Sequence, residues 1–144
     1  MNWKEEAKRE LRGYETLQAS IPNLADTLAE IAAAKTSLRS SSDPSPIYGG
    51  GSTYEDRLTN LLTKEAAVKD LLRVSRFRLR RIERGLAALS EEELAVALCF
   101  SAHRSGEAVE ILTERLGLER SSIYQLWDRA LRKFTIAEYG LPEY

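Results

Sequence analysis

Between Tyr54 and Leu89 the chain has no proline and a single glycine, Gly85. Within that stretch Leu58, Leu61, Glu65, Val68, Leu72, Ser75, Leu79, Ile82, Leu86 and Leu89 recur at alternating spacings of three and four. The period is about 3.5 residues, that of helices packed as a coiled coil. A long central helix over 54–89 is therefore expected, with Glu65 and Ser75 as polar interruptions of its seam. Leu62, Leu71 and Phe77 widen the apolar face. Something must cover that face, either the N-terminal segment or a second copy of the chain.

The remaining segments also read as helical, and the fold class is all-α. Trp3, Ala7, Leu11, Tyr14 and Leu17 make one apolar stripe. Ser20-Ile21-Pro22-Asn23 predicts a break, with Pro22 or Asn23 opening a second helix. Leu24, Leu28, Ile31, Lys35 and Leu38 continue the stripe, so residues 1–39 read as an N-terminal helical segment able to form a hairpin. Residues 40–53, rich in Ser, Pro and Gly, read as a flexible linker. Gly49–Gly51 precede a helix start with Ser52 and Thr53 as caps, but no lysine stands where a phosphate-binding Walker loop needs one.

Residues 90–144 change character. Ser90-Glu91-Glu92-Glu93 is a capping box, in which Ser90 accepts from the Glu93 amide and Glu93 reaches back. A helix to about Ala102, a break at His103–Gly106 and a helix over 107–116 follow. Gly117 is a natural C-terminal cap. The next helix begins near Glu119 or Ser121 and carries Ile123, Leu126, Trp127, Ala130, Leu131 and Phe134. Helix, glycine-containing turn and helix is the layout of a helix-turn-helix DNA reader, whose second helix enters the major groove.

That layout assigns roles. Arg120, Ser121, Ser122, Tyr124, Gln125, Asp128 and Arg129 fall on the outward side of the second helix. Gln reads adenine and Arg reads guanine through paired hydrogen bonds. Arg132 and Lys133 lie one turn on, placed for phosphate. A second basic patch carries Lys69, Arg73, Arg76, Arg78, Arg80, Arg81 and Arg84 against Asp70 and Glu83. Arg73, Arg76, Arg80 and Arg84 share a helix face and are candidate secondary phosphate contacts, or partners for the acids of residues 91–93 and 107–119.

Charge and composition narrow the alternatives. Lys and Arg number 21 against 22 Asp and Glu, a net charge of -1, which excludes a wholesale basic protein of histone type. Residues 90–144 hold six bases and ten acids, so any DNA-binding face there is local. One cysteine, Cys99, and one histidine, His103, cannot build a closed zinc site, which takes about four ligands. Cys99 reads as a small core residue and His103 as an exposed loop residue. No nucleophile motif stands near His103, and the chain reads as no enzyme, with no cofactor. The longest apolar run, Leu94–Phe100, is far short of the ~20 residues of a membrane span. Acids at Glu5 and Glu6 do not suit an export signal, so a cytoplasmic protein is expected.

Residues 89–93 and 116–134, ending in Ala130-Leu131-Arg132-Lys133-Phe134, resemble region four of bacterial sigma factors, which reads the promoter -35 element. The chain order resembles phage and prophage transcription regulators of the RinA and ArpU type. The likeness includes Asp43-Pro44, Gly49-Gly50, Tyr54-Glu55-Asp56-Arg57-Leu58 and the long helix leading into the reader. The resemblance implies a DNA-binding activator of late phage genes, with Arg120, Ser121, Ser122, Tyr124 and Gln125 in the base-reading positions. It implies double-stranded DNA as partner, with a homodimer and contacts to RNA polymerase or sigma factor. Two residues depart from the sigma pattern. Glu119 stands where Ser or Thr often caps the helix, and Trp127 where a polar residue is usual. Two alternatives remain open: a small-terminase-like DNA-packaging protein, or a module that binds sigma factor or polymerase without DNA.

Overall fold

The computed structural model describes residues 2–40 and 53–140. The linker reading of residues 40–53 thus falls outside the described residues, apart from Ser40 and Thr53. Every described element is an α-helix: α1 (Trp3–Arg12), α2 (Tyr14–Ser40), α3 (Tyr54–Ala87), α4 (Glu91–Ala102), α5 (Ser105–Leu116) and α6 (Arg120–Tyr139). No helix among them is long and apolar enough to cross a membrane. The residues divide into two compact units. One holds the chain up to Leu17 together with everything from Arg78 onward, and the other holds Gln18–Phe77. The cuts fall inside α2 and α3.

The long helix follows its sequence pattern. All ten positions of the expected seam, from Leu58 to Leu89, are buried or half-buried. Thr53 starts α3 with a reciprocal cap: its hydroxyl accepts from the Asp56 amide at 3.1 Å, and its own amide donates to the Asp56 carboxylate at 3.4 Å. In the Gln18–Phe77 unit, α2 offers Leu24, Leu28, Ile31, Lys35 and Leu38 to the seam, all buried or half-buried. The polar interruptions of the two stripes meet, with Lys35 Nζ 2.7 Å from Glu65 Oε2. A half-buried charge pair at one seam position fixes register, because a slipped pairing would leave both charges among apolar neighbours. The hydrogen bond from Lys35 holds the Glu65 carboxyl below its ordinary pKa, against the opposing effect of burial.

The N-terminal segment differs from expectation. The interruption comes at Gly13 instead of Ser20–Asn23, and Pro22 lies inside α2. An internal proline costs about 3 kcal/mol and one ladder hydrogen bond. The half-buried stripe of Ile21, Leu24 and Leu28 runs past it and holds the helix together. The packing of α1 lies within its own unit. Ala7 and Leu11 of α1 are buried with Leu17, Ile82, Leu131 and Phe134, so α1 lies on α6. Trp3 sits 4.8 Å from Tyr139, ring centre to ring centre.

The C-terminal helices form a second cluster in the same unit: Val96, Cys99 and Phe100 from α4, Ala108, Val109 and Leu112 from α5, Ile123 and Leu126 from α6. The capping box at α4 is complete, with Ser90 N–H donating to Glu93 Oε1 at 3.1 Å and Glu93 N–H to Ser90 Oγ at 3.3 Å. Cys99 is buried, and burial pushes its thiol pKa up. His103 is exposed at the end of α4, 3.8 Å from Glu107.

Candidate nucleic-acid interface

Three residues separate α5 from α6. Gly117 takes φ 67, ψ 24, and its amide donates to the Thr113 carbonyl at 3.0 Å. A side chain at that left-handed position is strained, so glycine permits the tight stop. Leu118 is half-buried against the α4–α6 cluster and anchors the turn. Glu119 precedes α6 in extended conformation, with no side-chain cap bond. The first amides of α6 are thus not capped by a side chain at this position.

The period of α6 divides its residues cleanly. Ile123, Leu126, Ala130, Leu131 and Phe134 are buried. Arg120, Ser121, Tyr124, Gln125, Asp128, Arg129, Arg132 and Lys133 are exposed, and Ser122 is half-buried. The outward face therefore carries the residues that the sequence nominated for base and phosphate contact.

Several of these side chains have intramolecular partners. Asp128 accepts from Lys4 Nζ of α1 at 2.8 Å, which offsets the acid on the outward face. Lys133 Nζ donates to Glu93 Oε1 at 2.9 Å. Burial acts to raise the Glu93 pKa, but the bonds from Lys133 and Ser90 outweigh it and hold that carboxyl below its ordinary value. Lys133 thus ties α6 to the start of α4. Tyr124 lies tilted at 6.0 Å from Phe100. Trp127 stacks on the same ring, 4.9 Å between centres and 1° from parallel. Trp127 is thus held by packing within the chain.

The α3 arginines separate. Arg73 pairs with Asp70 at 2.7 Å. Arg76 and Arg80 are exposed. Arg84 donates to the carbonyls of Ala137 and Glu138, at 3.3 and 3.2 Å, and so satisfies the C-terminal end of α6. Arg73 and Arg76 belong to the Gln18–Phe77 unit, Arg80 and Arg84 to the other.

Sequence reading did not single out an ionic cluster behind α6. Glu138 is fully buried and lies 3.8 Å from Arg81, whose guanidinium also sits 5.0 Å from the Tyr139 ring centre. Glu10 of α1 is 3.6 Å from Arg78. Burial, then the Glu10 carboxylate, push the Glu138 pKa up to about 7 against the pull of Arg81 and Arg84. Burial and the charge of Glu138 likewise raise Tyr139 to about 12. The signal was present in spacing: Trp127, Leu131, Phe134 and Glu138 succeed one another at four, three and four, which puts the acid on the apolar face.

A cleft of about 440 Å³ lies between α5 and the start of α6, lined by Gly106, Val109, Glu110, Thr113, Glu114 and Arg120. Glu107, Glu110 and Glu114 form an exposed acidic row along α5. Among the described residues no group of three or more His, Cys, Asp or Glu is placed to hold a metal ion. No family model, curated protein or solved structure matches the chain.

Proposed function

We propose that this chain is a sequence-specific DNA-binding transcriptional regulator that lays the first half of α6 in a major groove. The observation that carries this reading is the division of α6. Its apolar face is buried while Arg120, Ser121, Tyr124, Gln125, Arg129 and Arg132 are exposed. Gln125 is suited to adenine and Arg120 to guanine. Arg129 and Arg132 meet phosphates, and Ser121 and Ser122 reach base or backbone edges. Lys133 is spent on Glu93, so the phosphate contacts of this face rest on the arginines. The resemblance to RinA- and ArpU-type regulators makes the output activation of late phage genes. RNA polymerase or sigma factor is then the protein partner and a homodimer the binding form.

The acidic row Glu107, Glu110 and Glu114 favours a second reading, in which the same helices dock a basic protein surface without DNA. One experiment separates the two. Binding is measured to promoter-length DNA from the neighbourhood of the gene at ~50 and ~200 mM salt. The comparison is an Arg120→Ala/Gln125→Ala double variant. Contact with several phosphates weakens binding by orders of magnitude across that range. Selective binding that the double variant loses supports the DNA reader. Absence of binding, or binding indifferent to sequence and substitution, refutes base reading by α6 and leaves the protein-docking surface.

A further inference from the structure

The outward face of α6 contains one charge that opposes a DNA backbone. Ser121, Gln125, Asp128 and Arg132 follow one another at spacings of four, three and four, and all four are exposed. Asp128 therefore stands in the middle of the stripe that would enter the groove. It is the only acid of residues 120–134. Left alone, its carboxylate would sit between two rows of phosphates and repel both.

The partner of that carboxylate comes from the other end of the chain. Lys4 Nζ lies 2.8 Å from Asp128 Oδ1, across 124 residues of sequence. The docking of α1 sets this position. Lys4, Ala7 and Leu11 are spaced three and four, so Lys4 heads the stripe whose apolar members are buried with Leu131 and Phe134 of α6. Asn2 orders the first turn of α1 by accepting from the Glu5 amide at 3.3 Å. Trp3 packs on Tyr139 at 4.8 Å. The acids next to Lys4 pair within α1, Glu5 with Lys8 at 3.3 Å and Glu6 with Arg9 at 2.7 Å. The Lys4 and Asp128 side chains are 39% and 66% exposed, and a pair so open to water adds little to folding stability. Its consequence is the charge of the face. Arg120, Arg129 and Arg132 are set against Asp128, and Lys4 restores the charge that the acid removes.

We infer that α1 is a working part of the DNA-reading head, with Lys4 as a positioning residue that neutralises Asp128 and lets the outward face of α6 approach phosphates. This role rests on the DNA reading proposed for α6. It makes the first turn of the N-terminal helix a determinant of DNA affinity, through its contact with α6.

The test compares the full-length wild type, Lys4→Ala and Lys4→Ala/Asp128→Asn on the same promoter-length DNA. Melting followed by circular dichroism checks that all three fold alike, as an exposed pair predicts. Lys4→Ala leaves one uncompensated negative charge against the backbone and is expected to weaken binding about five- to tenfold at ~100 mM salt, the size of one lost phosphate contact. The loss is expected to be equal on selected and on scrambled DNA, because phosphates carry no sequence information. Asp128→Asn removes the charge that Lys4 offset, so the double variant is expected to return to within ~twofold of the wild type, the coupling that a double-mutant cycle reads. A Lys4→Ala variant that binds like the wild type, or a loss that Asp128→Asn does not rescue, overturns the inference while base reading by α6 stands. A wild type that binds no DNA, or binds it indifferently to Arg120→Ala/Gln125→Ala, overturns base reading and the inference with it.

Discussion

Gly85 is the lone glycine of α3, and replacing it with alanine opposes two effects of known size. By helix propensity the change gains about 1 kcal/mol. The surroundings reverse the sign. A Cβ on Gly85 would stand 2.7 Å from Cδ2 and Cε2 of Phe134, and 3.2 Å from the Phe134 carbonyl oxygen. Carbon atoms pack at about 3.5–4.0 Å, so the ring must retreat by roughly 1 Å. Phe134 is fully buried among Ala7, Leu11, Leu17, Ile82 and Leu131, which leaves it no open side. Overpacking of this kind costs ~1–3 kcal/mol. With propensity subtracted, Gly85→Ala is expected to lose up to about 2 kcal/mol. Urea unfolding followed by circular dichroism reads the loss as a lower midpoint at unchanged slope. Gly106→Ala is the matched control, because nothing lies within 4 Å of a Cβ there. It should gain a few tenths of a kcal/mol, up to ~1. A Gly85→Ala midpoint at or above wild type, with Gly106→Ala behaving as stated, would refute the close approach of α3 to α6.

Glu138 sets a pH dependence. Its folded pKa of about 7 lies above the ordinary glutamate value near 4.5. The folded state therefore keeps a proton that the unfolded chain releases, and stability falls as pH rises from ~4.5 to ~7. At 1.36 kcal/mol per unit the total is on the order of 3 kcal/mol. Glu138→Gln should flatten that slope and be more stable than wild type above pH 7. Equal slopes for the two proteins in urea titrations at pH 5 and pH 8 would count against the buried-acid assignment. At the start of α4, Ser90→Ala removes the acceptor for the Glu93 amide and should cost about 1 kcal/mol. Amide exchange at Glu93 should quicken with it, and unchanged exchange would deny the cap its role.

Much of this architecture was legible in one dimension. The seam of α3, the capping box at Ser90 and the glycine stop at Gly117 depend on periodicity and local backbone chemistry, which neighbouring residues specify among themselves. The inward and outward faces of α6 follow from the same 3.6-residue geometry, so Arg120, Tyr124 and Gln125 were correctly placed on a solvent face. The misread features involve partners distant in the chain. Pro22 reads as a stop because its cost is local, whereas the apolar stripe that carries α2 past it gains its stability across the hairpin. The pairing of Lys133 with Glu93, forty residues away, is likewise invisible to local pattern. Which neighbour Trp127 packs on is invisible until Phe100 is found parallel to it. The reason for a glycine at 85 appears only when the Phe134 ring is found in the space a side chain there would take. Local pattern thus specifies which residues become helix and which face of each turns inward. Which inward faces meet, which charges are neutralised and which basic residues stay available to a partner are set by long-range packing, since those energies exist only once distant segments are in contact.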